Sequence, residues 1–491
     1  MDLDALRHQI EGFLRQLAEE EYLQQAGLKS ESQGAVIYRQ HQHLFHPTRL
    51  DELRAAMGEG GGTTGPRLLL EFLTHACLEA KVQDVTDRFL SEEATAFVSG
   101  EERMIPLRGA EVAIRDEADR ARRSRLEQAR AQAIDRLNPL LRERLTRLQE
   151  AVTRLGGVSY PALWEELSGI HLDDLEKLIH TLLARTQEMY ADVLKWMLKR
   201  TLGVPLSEAK RHDLARLFRA PEYDRLLPPQ GVTAAVETAA QKMRIDPKAA
   251  GRIQIDAEER QAKTSRAFVA PIEVPKRVIL VVRPGGGWGD ASAYLHELGH
   301  ALHFANTDPA LPVEFRRLGD ASATEAFAFL LEGLLLESGF VRRVLGIPRE
   351  RDFLRVVALH KLYLLRRYAA ELIYERGLYD GRSPAQAAEA YRSLVSRATA
   401  AEFPPALYLY DVDPAFYVAR YLRAWILEAQ LREQLYERFD EECYRNDRTG
   451  PFLLDLWRQG LAPTLQSLAA QHSLGPLQID PLIRSVARHL A

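Results

Sequence analysis

Apolar residues return at three- and four-residue intervals through most of the chain, and one segment breaks that rhythm. Leu3, Leu6, Ile10, Phe13, Leu14 and Leu17 make the first stripe, and the same period runs through residues 69–90, 170–202 and 353–374. A stripe of this kind buries one helix face against a core, so the spacing predicts a mainly α fold of many helices. The exception is Arg277-Val278-Ile279-Leu280-Val281-Val282-Arg283, enclosed by Pro275 and Pro284 and followed by Gly285-Gly286-Gly287-Trp288-Gly289. Its β-branched residues predict a strand over 277–283 in a small sheet, and the glycines predict a turn into the next helix. Those glycines lack the Gly-Lys-Ser/Thr ending of a phosphate loop and the spacing of a dinucleotide fingerprint. A second glycine-rich stretch, Gly58 to Pro66, is expected to join two helices.

Composition narrows the class. With 491 residues, 46% of them hydrophobic and 27% charged, the chain has the make-up of a globular protein with a sizeable core. Residues 1–491 are expected to form one catalytic unit, with possible lobes at 1–200 and 201–491. Lys and Arg number 65 against 69 Asp and Glu, a net charge of −4, which removes the global electrostatic case for nucleic acid or an anionic membrane as partner. Residues 115–147 hold ten Arg against six acids, a pattern expected of a long solvated helix laced with ion pairs. No apolar run approaches the ~20 residues of a membrane span. The acidic start Met1-Asp2-Leu3-Asp4 does not read as a secretion signal. Cys77 and Cys443 are too few for a disulfide framework, and a cytoplasmic location is expected.

The helix after the strand carries the chemistry, in Ala293-Tyr294-Leu295-His296-Glu297-Leu298-Gly299-His300-Ala301-Leu302-His303. Residues four apart on an α-helix lie only ~40° apart around its axis, so His296 and His300 present both imidazoles on one face, as a zinc ion requires. Glu297 sits on the shoulder of that face, where a carboxylate can take a proton from a water molecule activated by the metal. A catalytic zinc wants a third protein ligand and an open position. His303 lies ~10 Å beyond His296 along the same axis, too far to share one ion, and is expected to support the site or fill the core. Glu325, in the apolar run Ser322-Ala323-Thr324-Glu325-Ala326-Phe327-Ala328-Phe329, is the candidate third ligand. An unpaired carboxylate would be costly to bury there, and a metal removes that cost. Glu332, two turns later on nearly the same face, is placed to orient a histidine ligand.

His296 to His303, with Glu325 following His300 after 24 intervening residues, resembles the zinc site of the thimet oligopeptidase and oligoendopeptidase F family. Leu311-Pro312-Val313 and Arg316-Arg317 are similar to the related angiotensin-converting enzyme. Both are gluzincins, and the resemblance implies a multi-helix zincin-like fold with a deep substrate channel. It also implies one zinc per chain, with His296, His300 and Glu325 as ligands and Glu297 as general base. Phe416-Tyr417-Val418-Ala419-Arg420-Tyr421 resembles the aromatic motif of a late helix in these enzymes. That match implies that Tyr421 donates its phenol to the oxyanion and that Tyr417 and Arg420 line the substrate side. Asp411 stands where both families place a substrate-binding His, which puts the hold on the neighbouring carbonyl in question.

The implied activity is zinc-dependent hydrolysis of peptide bonds in short peptides, with an exposed strand edge beside the metal available to a substrate backbone. An exopeptidase of carboxypeptidase type is the first rival, and Arg420 or Arg423 would then hold a terminal carboxylate. A zinc- or peptide-binding protein with little turnover is the second. The sequence leaves the oligomeric state open.

Overall fold

A computed structural model describes all residues except 30–32, 58–63, 101–102, 158, 261, 265, 284 and 491. The chain is mostly helical, with two small sheets. Asp2 starts the first helix, Leu3–Gln25, by accepting the Asp4 and Ala5 amides at 3.0 and 3.1 Å. The stripe at 353–374 lies within one helix, Glu350–Leu378. Two other stripes are each divided. Residues 69–90 fall on Thr64–Ala80 and Gln83–Thr95, and fully buried Val82 carries the apolar rhythm across the break. Residues 170–202 fall on Leu172–Arg185 and Gln187–Leu202, parted at buried Thr186. The Thr186 hydroxyl donates to the Leu182 carbonyl and accepts from Arg366, each at 2.7 Å, so the break is hydrogen-bonded locally. Most of the glycine-rich 58–66 stretch lies outside the described residues, and helices Pro47–Met57 and Thr64–Ala80 flank it.

The arginine-rich segment forms the long helix Arg120–Arg154 with exposed ion pairs such as Arg147–Asp84, but part of its charged face is buried, which corrects the expectation of a wholly solvated one. Arg123, Glu127 and Arg130 are buried. Arg123 reaches Asp213 at 3.0 Å and Glu127 accepts both its contacts from Arg211, at 3.0 and 2.9 Å. The ion pairs exist because these charges are buried and each must be matched.

The chain divides into two compact units. The first comprises residues 1–77, 221–354 and 423–482, and the second 78–220, 355–422 and 483–491. The second unit contains the antiparallel pair Phe97–Ser99 and Met104–Pro106. The first contains a three-stranded sheet in the order Ile253–Asp256, Arg277–Val281, Phe268–Glu273. The outer strand Ile253–Asp256 runs parallel to the central one and Phe268–Glu273 runs antiparallel to it. The strand read from sequence at 277–283 is therefore the central one, five residues long, and both its edges are paired. Val278 to Val281 are all buried, which is why this segment is a continuous apolar run and not an alternating one. Ala270, Ile272, Ile279 and Val281 pack with Ala18 and Ala26, with Tyr22 and Phe268 at the margin. The helix Trp288–Asn306 packs on the Phe268–Glu273 and Arg277–Val281 strands. Among the described residues no helix is long and apolar enough to cross a membrane.

Candidate active site

The helix Trp288–Asn306 carries His296, Glu297, His300 and His303, and it packs closely along the helix Ala321–Glu332, which carries Glu325 and Glu332. Asp320 caps the second helix by accepting the Ser322 amide at 2.9 Å. Buried Arg423 holds that cap, donating to Asp320 at 2.7 Å, to the Ser322 hydroxyl at 3.1 Å and to Gln466 at 3.2 Å. At the other end Arg432 donates to the Leu330 carbonyl at 2.7 Å while pairing with Glu428 at 2.6 Å and Glu337 at 3.2 Å. Both ends of the Glu325 helix are thus held by buried guanidinium groups.

His296, His300 and Glu325 come together. One atom from each lies within 4.8 Å of the others, and this is the one group of three such residues among those described. The Nε2 atoms of His296 and His300 are each 3.5 Å from the same Glu325 oxygen, Oε2. The two rings stand 4.9 Å apart and nearly perpendicular, at 82°. Each Nδ1 is engaged on the far side: His296 with Glu332 at 3.0 Å and His300 with Thr324 Oγ1 at 2.8 Å. Glu332 is itself held by the Ser292 hydroxyl at 2.6 Å. With Nδ1–H donating outward, both Nε2 lone pairs point to the shared space beside the carboxylate, the arrangement of metal-binding imidazoles. Two nitrogens and one oxygen fit a zinc ion with a remaining open position.

The charges reflect the same close approach. Burial pushes Glu325 up, but His300 and His296 outweigh it and hold the carboxyl below its usual range. Burial works against a charged His296, yet hydrogen bonds and attraction from Glu325 and Glu332 raise it well above the usual imidazole value. Burial raises the half-buried Glu297, with His300 and His296 opposing, which moves a carboxylate toward the range useful to a general base.

His303 stands apart from this group. It is fully buried, stacks on Phe304, meets Phe327 edge-on and places Nε2 at 3.1 Å from the Gly460 carbonyl. Tyr417, Arg420, Tyr421 and Asp411 belong to the second unit. There Tyr421 stacks on Tyr368 at 5.4 Å and 14° and meets Tyr417 edge-on at 4.9 Å. Asp411 accepts from the Tyr391 hydroxyl at 2.5 Å and pairs with Arg367 at 3.2 Å. Arg420 is half-buried.

Sequence reasoning missed Thr324, Ser292 and the cap formed by Asp320 with Arg423. Thr324 carried a readable signal, since a hydroxyl directly before the candidate Glu325 can face a neighbouring helix. Ser292 and Arg423 carried none, because their partners are 40 and 103 residues away.

No protein-family model and no curated protein sequence matches the chain. Solved structures do. A provisionally named oligoendopeptidase F superposes with a TM-score of 0.73 at 14% identity, covering 98% of this chain and 90% of that one. PZ peptidase A, solved with an inhibitor, gives 0.63 at 16% identity over 92% and 86% of the two chains. A provisionally named oligoendopeptidase F from Bacillus anthracis gives 0.62 at 13% identity over 97% and 88%. The chain shares their mainly helical fold along nearly its whole length.

Proposed function

We propose that the chain is a zinc-dependent metallopeptidase, acting as one unit over residues 1–491 and hydrolysing peptide bonds in short peptides. The observation that carries this reading is the meeting of His296, His300 and Glu325, with Glu332 and Thr324 turning both imidazole Nε2 atoms toward one point. The fold supports it, since the similar structures bear oligopeptidase and peptidase names. One zinc held by these three residues would supply a Lewis acid that polarises the scissile carbonyl and acidifies water.

The chain's own groups then divide the remaining work. Glu297 takes the proton from the attacking water and returns it to the leaving amine, and its burial raises its basicity for that task. Glu332 and Thr324 keep the imidazoles oriented. The sequence resemblance supports Tyr421 as hydrogen-bond donor to the oxyanion, with Tyr417, Arg420 and Asp411 on the substrate side. The edge of the small sheet supports alignment of an extended peptide backbone. Cys77 and Cys443, both buried and outside any disulfide, accord with a reducing, cytoplasmic setting. Arg423 is committed to Asp320, Ser322 and Gln466, which weakens its candidacy as the carboxylate anchor of an exopeptidase.

The test is Glu297→Gln. The variant should keep about one zinc per chain by elemental analysis and lose ~100- to 10,000-fold in peptide hydrolysis, the scale of one acid–base group. Cleavage of a quenched-peptide library at the parental rate by this variant, or by chelated protein, would defeat the proposal.

A further inference from the structure

The outer strand of the sheet, Phe268–Glu273, has a main-chain pattern that can be deduced from its neighbours. The Val278 and Val282 amides donate to the Arg252 and Asp256 carbonyls at 2.9 and 3.0 Å, so the even-numbered residues of the central strand address Ile253–Asp256. By alternation Ile279 and Val281 address the other side, where their partners are Ala270 and Phe268. Val269 and Pro271 therefore turn their main-chain groups away from the sheet. Pro271 lacks an amide hydrogen, which suits a position where none is needed for the ladder.

The outward groups are treated differently. Arg317 Nη1 donates to the Pro271 carbonyl, and Arg316 Nη1 donates to the Val274 carbonyl at 2.7 Å. Arg316 is itself fixed by the Leu311 carbonyl and Glu11, each at 2.8 Å. Among the described residues, none hydrogen-bonds the Val269 amide or carbonyl on this outer side. Among the described residues the edge is thus engaged at the Pro271 and Val274 carbonyls and not at Val269.

We propose that Arg317 sets how far a substrate peptide can pair along this edge, and so acts as a specificity-determining residue. The inference rests on the peptidase reading and goes beyond it by naming what fixes the register. An extended peptide can exchange hydrogen bonds with Val269, but the next outward acceptor, Pro271, is already taken by a guanidinium. A strand slips in steps of two residues if its side chains are to keep their faces. Freeing Pro271 would therefore admit a peptide displaced by one such step.

Full-length Arg317→Met, Arg317→Lys and Val269→Pro should be compared with the parent on peptides of graded length, with products identified by mass spectrometry. Arg317→Met should cleave one fixed peptide at an added bond two residues from the parental one, and bind longer peptides about three- to tenfold more tightly in KM, the scale of one hydrogen bond. Arg317→Lys keeps a donor and should retain parental products. Val269→Pro removes the outward amide without touching the ladder and should raise KM by a similar factor. Parental products and KM from folded Arg317→Met overturn the proposal. Should that variant not fold, a parental KM in Val269→Pro overturns it alone. In either case Glu297-dependent cleavage by the parent leaves the peptidase reading standing, whereas a parent that cleaves no peptide sinks both.

Discussion

Gly299 meets Ala328 with no room for a side chain: a Cβ on Gly299 would lie 2.5 Å from Ala328 Cα and 2.8 Å from the Phe327 carbonyl oxygen. Gly299 directly precedes His300, and Ala328 lies one turn after Glu325. The contact that draws the two helices together is therefore the contact that brings His300 to Glu325. Both atoms facing the added carbon are backbone, so neither can swing aside.

Gly299→Ala should push the helices apart. Overpacking of this kind costs about 1–3 kcal/mol, and the melting temperature should fall together with zinc content. A variant with parental melting and full zinc would show that the helices can separate without disturbing the site.

If the proposed ligand set is right, His300→Ala and Glu325→Ala should each strip the metal and the activity together, as both belong to the group of three. Glu332→Gln should retain folding but bind zinc about 10- to 100-fold more weakly, the usual effect of losing the carboxylate behind a ligand imidazole. Undiminished zinc in Glu325→Ala would remove that residue from the ligand set.

His303 predicts a pH dependence of stability. Burial pushes its pKa down to about 3, below the ~6.5 of an unfolded chain. The folded state holds it neutral, so its contribution is intact above ~6.5 and is lost as pH falls, at a limiting slope of ~1.4 kcal/mol per unit. His303→Gln keeps a donor for Gly460 and should flatten the difference between urea unfolding at neutral and mildly acidic pH. Equal acid sensitivity in parent and variant would contradict this.

Tyr421→Phe separates catalysis from packing. If the phenol serves the oxyanion, kcat should fall ~100-fold or more with KM and melting temperature near parental. If the ring acts only through its stack on Tyr368, the Phe variant should turn over normally.

The sequence by itself determined what is local. Helical spacing placed His296 and His300 on one face and excluded His303, because four residues make about one turn whatever surrounds the helix. An apolar β-branched run marked residues 277–283 as a strand, of which 277–281 form it, since side-chain preference acts within the segment. Where the periodic stripe passed through Val82 and Thr186, the same signal concealed a break, because burial continues across it. Tertiary structure decided the rest. That this strand is central and Phe268–Glu273 carries the open edge depends on pairing between segments distant in sequence. The engagement of His300 by Thr324, and the cap Arg423 builds on Asp320, likewise exist only once separate helices pack. Close packing tolerates one arrangement of such surfaces, set by shape at points like Gly299 and Ala328, and no pattern within either helix states which points those are.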